Sequence, residues 1–184
     1  RHCIIETLAG LLDCEAVGNG LVSVDMGPAN LDWRDIPLSE AIDTLHLNIG
    51  SGPLQDPVGV NMGNPHAIFF VDDAEAVDLD IHGPIIEHHK LFPRRVNVEA
   101  AQIISPEHIR LRVWERGVGE TLACGSGACA TLVAACRRGL TERQVNIDLN
   151  GGTLQLQWMP DNHVMMTGPV TTSFSGFIDP ALMA

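Results

Sequence analysis

A single strong helix pattern stands among many short strand patterns in this chain of 184 residues. The stretch 125–138 is rich in alanine and is followed by Gly139, and glycine commonly closes a helix at this position. Arg137 and Arg138 lie in its last turn, where positive charge is favourable beside the negative end of the helix dipole. We therefore predict a helix over 125–138.

Strand patterns precede and follow this helix. They are short apolar runs, or segments in which apolar and polar residues alternate, and glycine, asparagine and proline separate them. The predicted strands cover residues 3–8, 11–17, 21–26, 58–62, 67–71, 96–100, 109–113, 144–149, 153–159 and 163–167. The alternation in 96–100 and 109–113 is typical of half-buried strands. The whole pattern predicts an α+β fold in which antiparallel sheets surround one or two helices.

Two weaker helical segments are also predicted. Residues 85–91 follow Pro84, which suits the first turn of a helix. The segment 28–57 is rich in proline, and we interpret it as a connection. It contains a weak helical patch over 39–45 with Ser39 as its N-cap.

The composition disfavours several classes of partner. The chain has 11 Lys and Arg residues against 23 Asp and Glu residues, so its formal net charge is −12 and no nucleic-acid partner is expected. The longest apolar runs, such as 67–71, fall far short of the roughly 20 residues that span a membrane, so no membrane association is expected. Five cysteines without a Cys-x-x-Cys pair predict free thiols and a cytoplasmic protein.

One pattern recurs at two places in the chain. Segments 5–28 and 147–169 each contain a strand, a glycine turn, further strands and a closing Gly-Pro. Units of this kind are common in β proteins, so the similarity is compatible either with chance or with an internal duplication. Under duplication, the equivalent of helix 125–138 would precede Arg1, and the chain would begin within a repeat.

Cys124 lies at the start of the predicted helix, after a glycine-rich loop. The helix dipole and the unpaired N–H groups at this end favour a thiolate, so we expect the pKa of the Cys124 thiol to fall below its ordinary value of about 8.5. Gly125, Ser126 and Gly127 leave backbone amides accessible, and such amides bind carboxylates or phosphates. Cys124 is therefore a candidate base or nucleophile beside an anion site. Packing as a small apolar residue is the alternative.

Other polar residues could complete a site around this thiol. Glu115 and Arg116 end a predicted strand and could bind an amino group and a carboxyl group, or form a solvated ion pair. Asn64 and His66 share a turn, and Asn97 interrupts a run of valines. Together these groups suggest a site for a small zwitterion.

Two further classes of site are disfavoured. The sequence has no P-loop, and the glycine-rich loop does not open a helix in a strand–helix–strand unit, so we expect no nucleotide. His82, His88 and His89 lack a spacing that completes a tetrahedral ligand set, so no metal site is expected.

Three separated motifs occur together in this chain. They are Gly63-Asn64-Pro65-His66, Phe92-Pro93-Arg94-Arg95-Val96-Asn97-Val98, and Ala123-Cys124-Gly125-Ser126-Gly127-Ala128 behind Glu115-Arg116-Gly117. Their order and spacing closely resemble those of the diaminopimelate epimerase family, and the resemblance covers essentially the whole chain. It implies a strand-rich barrel wrapped around a central helix, present in two pseudo-symmetric domains.

The resemblance also implies an activity. Members of the family interconvert LL- and meso-diaminopimelate for lysine and peptidoglycan precursor synthesis, without pyridoxal phosphate, metal or other cofactor. They use two cysteines, one on each face of the substrate α-carbon, of which one removes a proton and the other supplies one. The family also suggests a homodimer.

Carried over to matching positions, the resemblance assigns roles to individual residues. Cys124 corresponds to the second catalytic cysteine, and His66 and Glu115 to groups that support its catalysis. The expected substrate contacts are Asn64, Asn97, Glu115 and Arg116, with Gly125 and Ser126 as backbone contacts to the α-carboxylate.

One departure from the family is large. The opening half-domain, which holds the first catalytic cysteine, has no match in this sequence. We therefore expect a remnant of the N-terminal domain over 1–24, a C-terminal epimerase domain over 25–169, and a tail over 170–184 that returns to the first domain. The chain alone is then expected to be inactive. The alternatives are a non-catalytic ligand-binding or assembly module, or a related amino acid racemase or isomerase.

Overall fold

The computed structural model describes residues 1–7 and 10–182, and within these ranges the chain forms thirteen strands, two α-helices and a 3₁₀ turn at Pro180–Leu182. The strands are β1 (His2–Thr7), β2 (Gly10–Gly18), β3 (Leu21–Pro28), β4 (Gly50–Ser51), β5 (Leu54–Gln55), β6 (Val58–Asn61), β7 (Pro65–Phe70), β8 (Asn97–Ser105), β9 (His108–Glu115), β10 (Gly119–Thr121), β11 (Gln144–Leu149), β12 (Gly152–Trp158) and β13 (His163–Pro169). The helices are α1 (Leu79–Glu87) and α2 (Gly125–Arg137). Neither helix is long and apolar enough to cross a lipid bilayer.

Most of the strands form one sheet that closes on itself. The strand order is β1-β2-β3-β13-β12-β11-β9-β8-β7-β6, and β10 pairs with β9. At the far edge, Asn61 at the end of β6 exchanges two backbone hydrogen bonds of 2.9 Å with Asn30, which follows β3. The section from β3 to β6 is therefore a barrel, and α2 contacts β6, β7, β8, β11, β12 and β13 from inside it. The predicted barrel around a central helix is confirmed.

Helix α2 is enclosed on every side. All residues from Gly127 to Ala135 are buried, and most of them are small. Leu132 fills the barrel against Leu111 and Ile147, which face inward from β9 and β11. The predicted helix over 125–138 is confirmed, with Arg138 as its C-cap rather than its last residue.

A second core lies on the outer face of the barrel. Helix α1 contacts β4, β8, β9 and β10 there, and Leu79 and Ile86 are buried with Phe69 and Val98. The predicted bounds of 85–91 for this helix are wrong. The helix begins after Asp78, and Pro84 lies inside it.

The N-cap explains the earlier start of α1. The Asp78 carboxylate accepts a hydrogen bond of 3.3 Å from the N–H of Ile81. This cap and the burial of Leu79 and Ile86 outweigh the single backbone hydrogen bond that Pro84 cannot donate.

The predicted helical patch over 39–45 is also wrong, because this segment forms bends and turns. The side chains of Ile36, Leu38 and Leu47, on either side of this segment, are buried in the outer core. Ser39, the expected N-cap, instead donates its backbone N–H to the carbonyl of Leu91 at 2.9 Å. Attachment of both flanks to the barrel outweighs the weak local preference for helix.

The recurring sequence pattern corresponds to two similar units. Strands β1, β2 and β3 form one antiparallel meander, β11, β12 and β13 form another, and the two meet where β3 pairs with β13. Their Gly-Pro ends lie on these two central strands, with Pro169 opposite Leu21 and Pro28 opposite His163. The predicted strand over 3–8 corresponds to β1, and Leu8 lies outside the described residues.

Strand β8 corrects another prediction. Alternation indicated a half-buried strand, but every residue from Asn97 to Ala101 is buried. The reason is that α2 covers one face of β8 and α1 covers the other. The polar side chains of His66, Asn97 and Glu99 therefore lie inside the protein and must bond to partners there.

Glu87 fixes the turn that follows β9. Its buried carboxylate accepts hydrogen bonds from Nε1–H of Trp114 at 2.8 Å and from the backbone N–H of Gly117 at 2.9 Å. Gly117 has a φ of +77°, which glycine adopts without strain. Glu87 thus holds the position of Glu115 and Arg116 in the same turn.

Glu87→Gln should destabilise the chain by about 1–3 kcal/mol, because an amide NH₂ group would replace one of two oxygens that face N–H donors. Urea denaturation followed by circular dichroism measures this loss. Glu40→Gln, at an exposed position, is the control and should change the free energy of unfolding by less than about 0.5 kcal/mol. Equal effects of the two substitutions would contradict the role of Glu87.

Candidate active site

Cys124 lies at the mouth of the barrel, where the chain leaves β10 and enters α2. It is the N-cap residue, but its side chain makes no capping hydrogen bond. Its Sγ is 3.6 Å from Oγ of Ser126, and the residue is 7% exposed. The backbone N–H groups of Gly125 and Ser126 have no acceptor among the described residues. The helix therefore offers two unpaired donors beside a thiol.

The expected lowering of the pKa of Cys124 is wrong. Burial of the thiol is the main cause that raises its pKa, to about 11, and the carboxyl groups of Glu99 and Glu115 act in the same direction when they are ionised. The hydroxyl of Ser126 and the N–H of Gly127 lower the pKa but do not compensate. The loss of solvation outweighs the helix N-terminus because the Cys124 side chain is almost completely buried.

Gly127 allows a close approach between the helix and β8. A Cβ atom at this position would lie 2.9 Å from Oε1 of Glu99 and 3.3 Å from Sγ of Cys124. The Glu99 carboxyl group and the thiol are therefore close neighbours across the glycine. Any larger residue at 127 would push them apart.

Three side chains form a hydrogen-bonded chain from the interior to the surface. Oε1 of Glu99 is 2.6 Å from Nδ1 of His66, and Nε2 of His66 is 2.9 Å from Oδ1 of Asn64. Glu99 and His66 are fully buried, whereas Asn64 is partly exposed. Among the described residues, neither His66 nor Glu115 is hydrogen-bonded to the Cys124 sulfur.

Asn97 ties two site segments together. Its Nδ2 donates to the carbonyl of Pro65 at 2.9 Å, and its Oδ1 accepts from the backbone N–H of Arg116 at 2.8 Å. Asn97 is 3% exposed, and its side chain holds the backbone at Pro65 and Arg116 together. Glu115, next to Arg116, accepts a hydrogen bond of 2.6 Å from the hydroxyl of Thr121.

A cleft of about 710 Å³ opens at this end of the barrel. Asn64, Arg116 and Ser126 line one side of it, and the hairpin of β1 and β2 contributes Leu11 and Leu12. The guanidinium of Arg116 is exposed there and donates to the carbonyl of Arg94 at 3.0 Å.

The other predicted residues lie behind the cleft wall. Cys124 contacts Ser126, His66 contacts Asn64, and Asn97 contacts Arg116. The structure thus brings Asn64, Arg116 and Ser126 to the cleft itself, whereas Cys124 and Gly125 do not line it, and the thiol reaches it only through its contact of 3.6 Å with the Ser126 hydroxyl.

Two parts of this site were not found from the sequence. Glu99 carries a charge in the middle of an apolar strand, and that charge is the signal that could have singled it out. The cleft also contains Asp25, whose carboxylate is 2.9 Å from Nδ1 of His163 across the pairing of β3 and β13. Those two residues are 138 positions apart, and only the pairing of the two recurring units would have joined them. No cluster of three or more potential metal ligands occurs in residues 1–7 and 10–182.

Comparison with known proteins places the chain in a family. A family model described as "Diaminopimelate epimerase" matches residues 58–173, which is more than half of the chain. The diaminopimelate epimerase of Rhodospirillum centenum is 61% identical over 179 residues, covering 97% of this chain and 62% of the relative. That of Acidiphilium cryptum is 54% identical over 184 residues, covering all of this chain and 66% of the relative. The chain thus spans slightly less than two thirds of the length of these relatives.

Solved structures show the same fold at low sequence identity. A probable proline racemase from Agrobacterium radiobacter has a TM-score of 0.65 at 17% identity, with 98% of this chain and 61% of that chain covered. A hydroxyproline epimerase from Agrobacterium vitis has a TM-score of 0.63 at 16% identity, with 92% and 56% covered. On the match to the family model and the identity to its curated members, this chain belongs to the diaminopimelate epimerase family.

Proposed function

We propose that this chain supplies one side of the active site of a cofactor-independent diaminopimelate epimerase, in which Cys124 is one of two acid–base groups. The observation that carries the proposal is the position of the Cys124 sulfur, which lies 3.6 Å from the hydroxyl of the cleft residue Ser126, at a helix end where the N–H groups of Gly125 and Ser126 are unpaired. The relatives named diaminopimelate epimerase, which match 97–100% of this chain, support the same activity.

The substrate is an amino acid with charged groups at both ends, and the cleft offers matching partners. The N–H groups of Gly125 and Ser126 bind the α-carboxylate at the start of the helix, where the dipole also favours negative charge. The amide of Asn64 and the guanidinium of Arg116 bind the other end. Glu115 and Asn97 position this wall, and His66 positions Asn64.

The reaction is a proton exchange at the α-carbon. A cysteine thiolate on one face takes the α-proton and becomes a thiol, and the electron pair of the broken C–H bond is delocalised into the carboxylate. A thiol on the other face then donates its proton to the carbon and becomes a thiolate, so the configuration is inverted and no net proton is consumed. Donors at the carboxylate stabilise the charge that develops there.

Only one of these cysteines belongs to this chain under the proposal. The division into 1–24, 25–169 and 170–184 is part of it, with the middle segment as the domain that holds Cys124. The other cysteine is supplied by sequence that the relatives have and this chain does not match. A homodimer and a cytoplasmic location, which the family resemblance implies, belong to the same proposal.

The protonation state of Cys124 assigns its part in the reaction. Because its pKa is about 11, the group is a thiol at neutral pH, so it acts as the acid when the substrate first binds. It acts as the base in the reverse direction, after it has given up its proton.

The alkylation rate of Cys124 by iodoacetamide should rise about tenfold per pH unit from pH 8 to pH 10, because only the thiolate reacts and its fraction grows up to a pKa near 11. Peptide mapping by mass spectrometry separates Cys124 from the exposed thiol of Cys3, which serves as an internal reference. A rate that levels off below pH 9 would show that the helix N-terminus outweighs burial.

Activity is best tested on a chimera in which this chain is joined to the segment of the Rhodospirillum centenum relative that it does not match. In deuterium oxide, the chimera should exchange the α-hydrogen of LL-diaminopimelate and invert its configuration. Cys124→Ser should lower both rates on the order of a hundredfold or more, because a hydroxyl is a far poorer acid–base group than a thiol.

Two controls make this experiment decisive. Cys136→Ser removes a half-buried thiol from the other end of α2 and should leave both rates within about twofold. Inversion by the 184-residue chain alone would contradict the need for a second cysteine. A chimera that inverts proline but leaves diaminopimelate unchanged would favour a related racemase.

A further inference from the structure

Glu99 is a buried carboxyl group that the proposed reaction does not use. Its side chain has no exposed surface, and Oε2 has no hydrogen-bond partner among the described residues. Burying an ionisable group costs free energy that an apolar side chain would avoid. Its hydrogen bond of 2.6 Å to Nδ1 of His66 is the contact that links Glu99 to the residues of the cleft wall.

Three arrangements of protons are compatible with the short contact between Glu99 and His66. In the first, the carboxyl group holds a proton and donates it to Nδ1, so the neutral ring carries its own hydrogen on Nε2. In the second, both ring nitrogens are protonated and the carboxylate accepts from Nδ1. In the third, a neutral ring donates from Nδ1 to the carboxylate and Nε2 carries no hydrogen. The contact of 2.9 Å between Nε2 and Oδ1 of Asn64, an oxygen that can only accept, requires a hydrogen on Nε2 and excludes the third. Burial raises the pKa of the Glu99 carboxyl group, which favours the first.

The Nε2–H group determines how Asn64 is oriented. It lies 2.9 Å from Oδ1 of Asn64, so it donates to that oxygen, and the NH₂ group of the carboxamide points away from His66. Asn64 lines the cleft, where this NH₂ group is a donor for a carboxylate. With the other neutral tautomer of His66, Asn64 would have to donate to Nε2, and its oxygen would face the cleft and repel a carboxylate.

We propose that Glu99 is a positioning residue, which acts through His66 to hold the Asn64 carboxamide with its N–H donors toward the cleft, so that this subsite accepts a carboxylate. The identity of the substrate rests on the proposed function, whereas the hydrogen-bonded chain does not. The other titratable groups around Glu99 are Cys124, which faces it across Gly127, and Glu115, whose charge acts on it.

Nitrogen NMR of the chain labelled at histidine tests the tautomer directly, since protonated and unprotonated ring nitrogens have well-separated shifts. Nε2 of His66 should carry a hydrogen in the folded chain at neutral pH, because it lies 2.9 Å from the acceptor oxygen of Asn64. An unprotonated Nε2 would overturn the proposal. This measurement needs no variant.

Glu99→Gln tests whether the carboxyl group sets the tautomer. An amide can meet Nδ1 with either its oxygen or its NH₂ group, so His66 should populate both neutral tautomers in this variant. Asp148→Asn is the matched control, because the Asp148 carboxylate lies 2.7 Å from Nε2 of a different histidine, His108, and this variant should leave the His66 spectrum unchanged. Full Nε2 protonation retained in Glu99→Gln would overturn the proposal.

Turnover by the chimera gives a readout that a loss of folding would not reproduce. Glu99→Gln should raise KM for diaminopimelate on the order of tenfold and change kcat by less than about threefold, because a substrate contact is weakened in ground state and transition state alike. A fall in kcat at unchanged KM would contradict the positioning role. If the unaltered chimera shows no turnover, the proposed function fails, and the His66 spectra still decide the role of Glu99.

Discussion

The enclosure of α2 by the barrel is the constraint on which the rest of this structure depends. A helix that is surrounded on all sides has no exposed face, so its side chains must be small enough for strands to approach from several directions. The run of buried residues from Gly127 to Ala135 meets this requirement. The ends of the helix are its only access to the surface. At the N-terminal end the backbone N–H groups need acceptors, and there Ser126, two residues after Cys124, lines the cleft.

The packing of α1 on the outer face of the barrel explains why the site contains buried polar groups. Because α1 packs on the outer side of β8 and β5 packs on β7, while α2 contacts both strands from inside, the buried polar residues of β7 and β8 have no route to water. Each must bond to another part of the protein, and each bond links two segments of the site. Asn97 joins the start of β7 to the turn after β9, and His66 joins Glu99 to Asn64. The polar interior is thus a rigid support for the cleft wall.

The positions of most strands and of α2 could be predicted from the sequence. The burial of individual side chains could not, because it depends on tertiary contacts. The longer strands and α2 followed from periodicity and turn residues, and the sequence suggested one site for the motifs around Asn64, Arg116 and Cys124. Alternation placed Glu99 on an exposed face, because a strand pattern cannot reveal that helices cover both sides. The pKa of Cys124 was misjudged for a related reason. A helix N-terminus can be read from residues, but the burial that overrides it depends on strands far away in the sequence.

The raised pKa of Cys124 is consistent with the chemistry of a weakly acidic carbon. A thiolate of low pKa would be abundant but a weak base, whereas a thiolate whose conjugate acid has a pKa near 11 is a stronger base toward a C–H bond. The N–H groups of Gly125 and Ser126 have no protein acceptor, so in the proposed reaction they remain available for the substrate carboxylate. Negative charge grows on that carboxylate as the proton leaves the carbon. Donors aimed at the carboxylate therefore stabilise the carbanion more than they stabilise the bound substrate before proton transfer. In the proposed reaction, burial therefore keeps the sulfur a strong base, while the N–H groups of Gly125 and Ser126 remain free for the substrate.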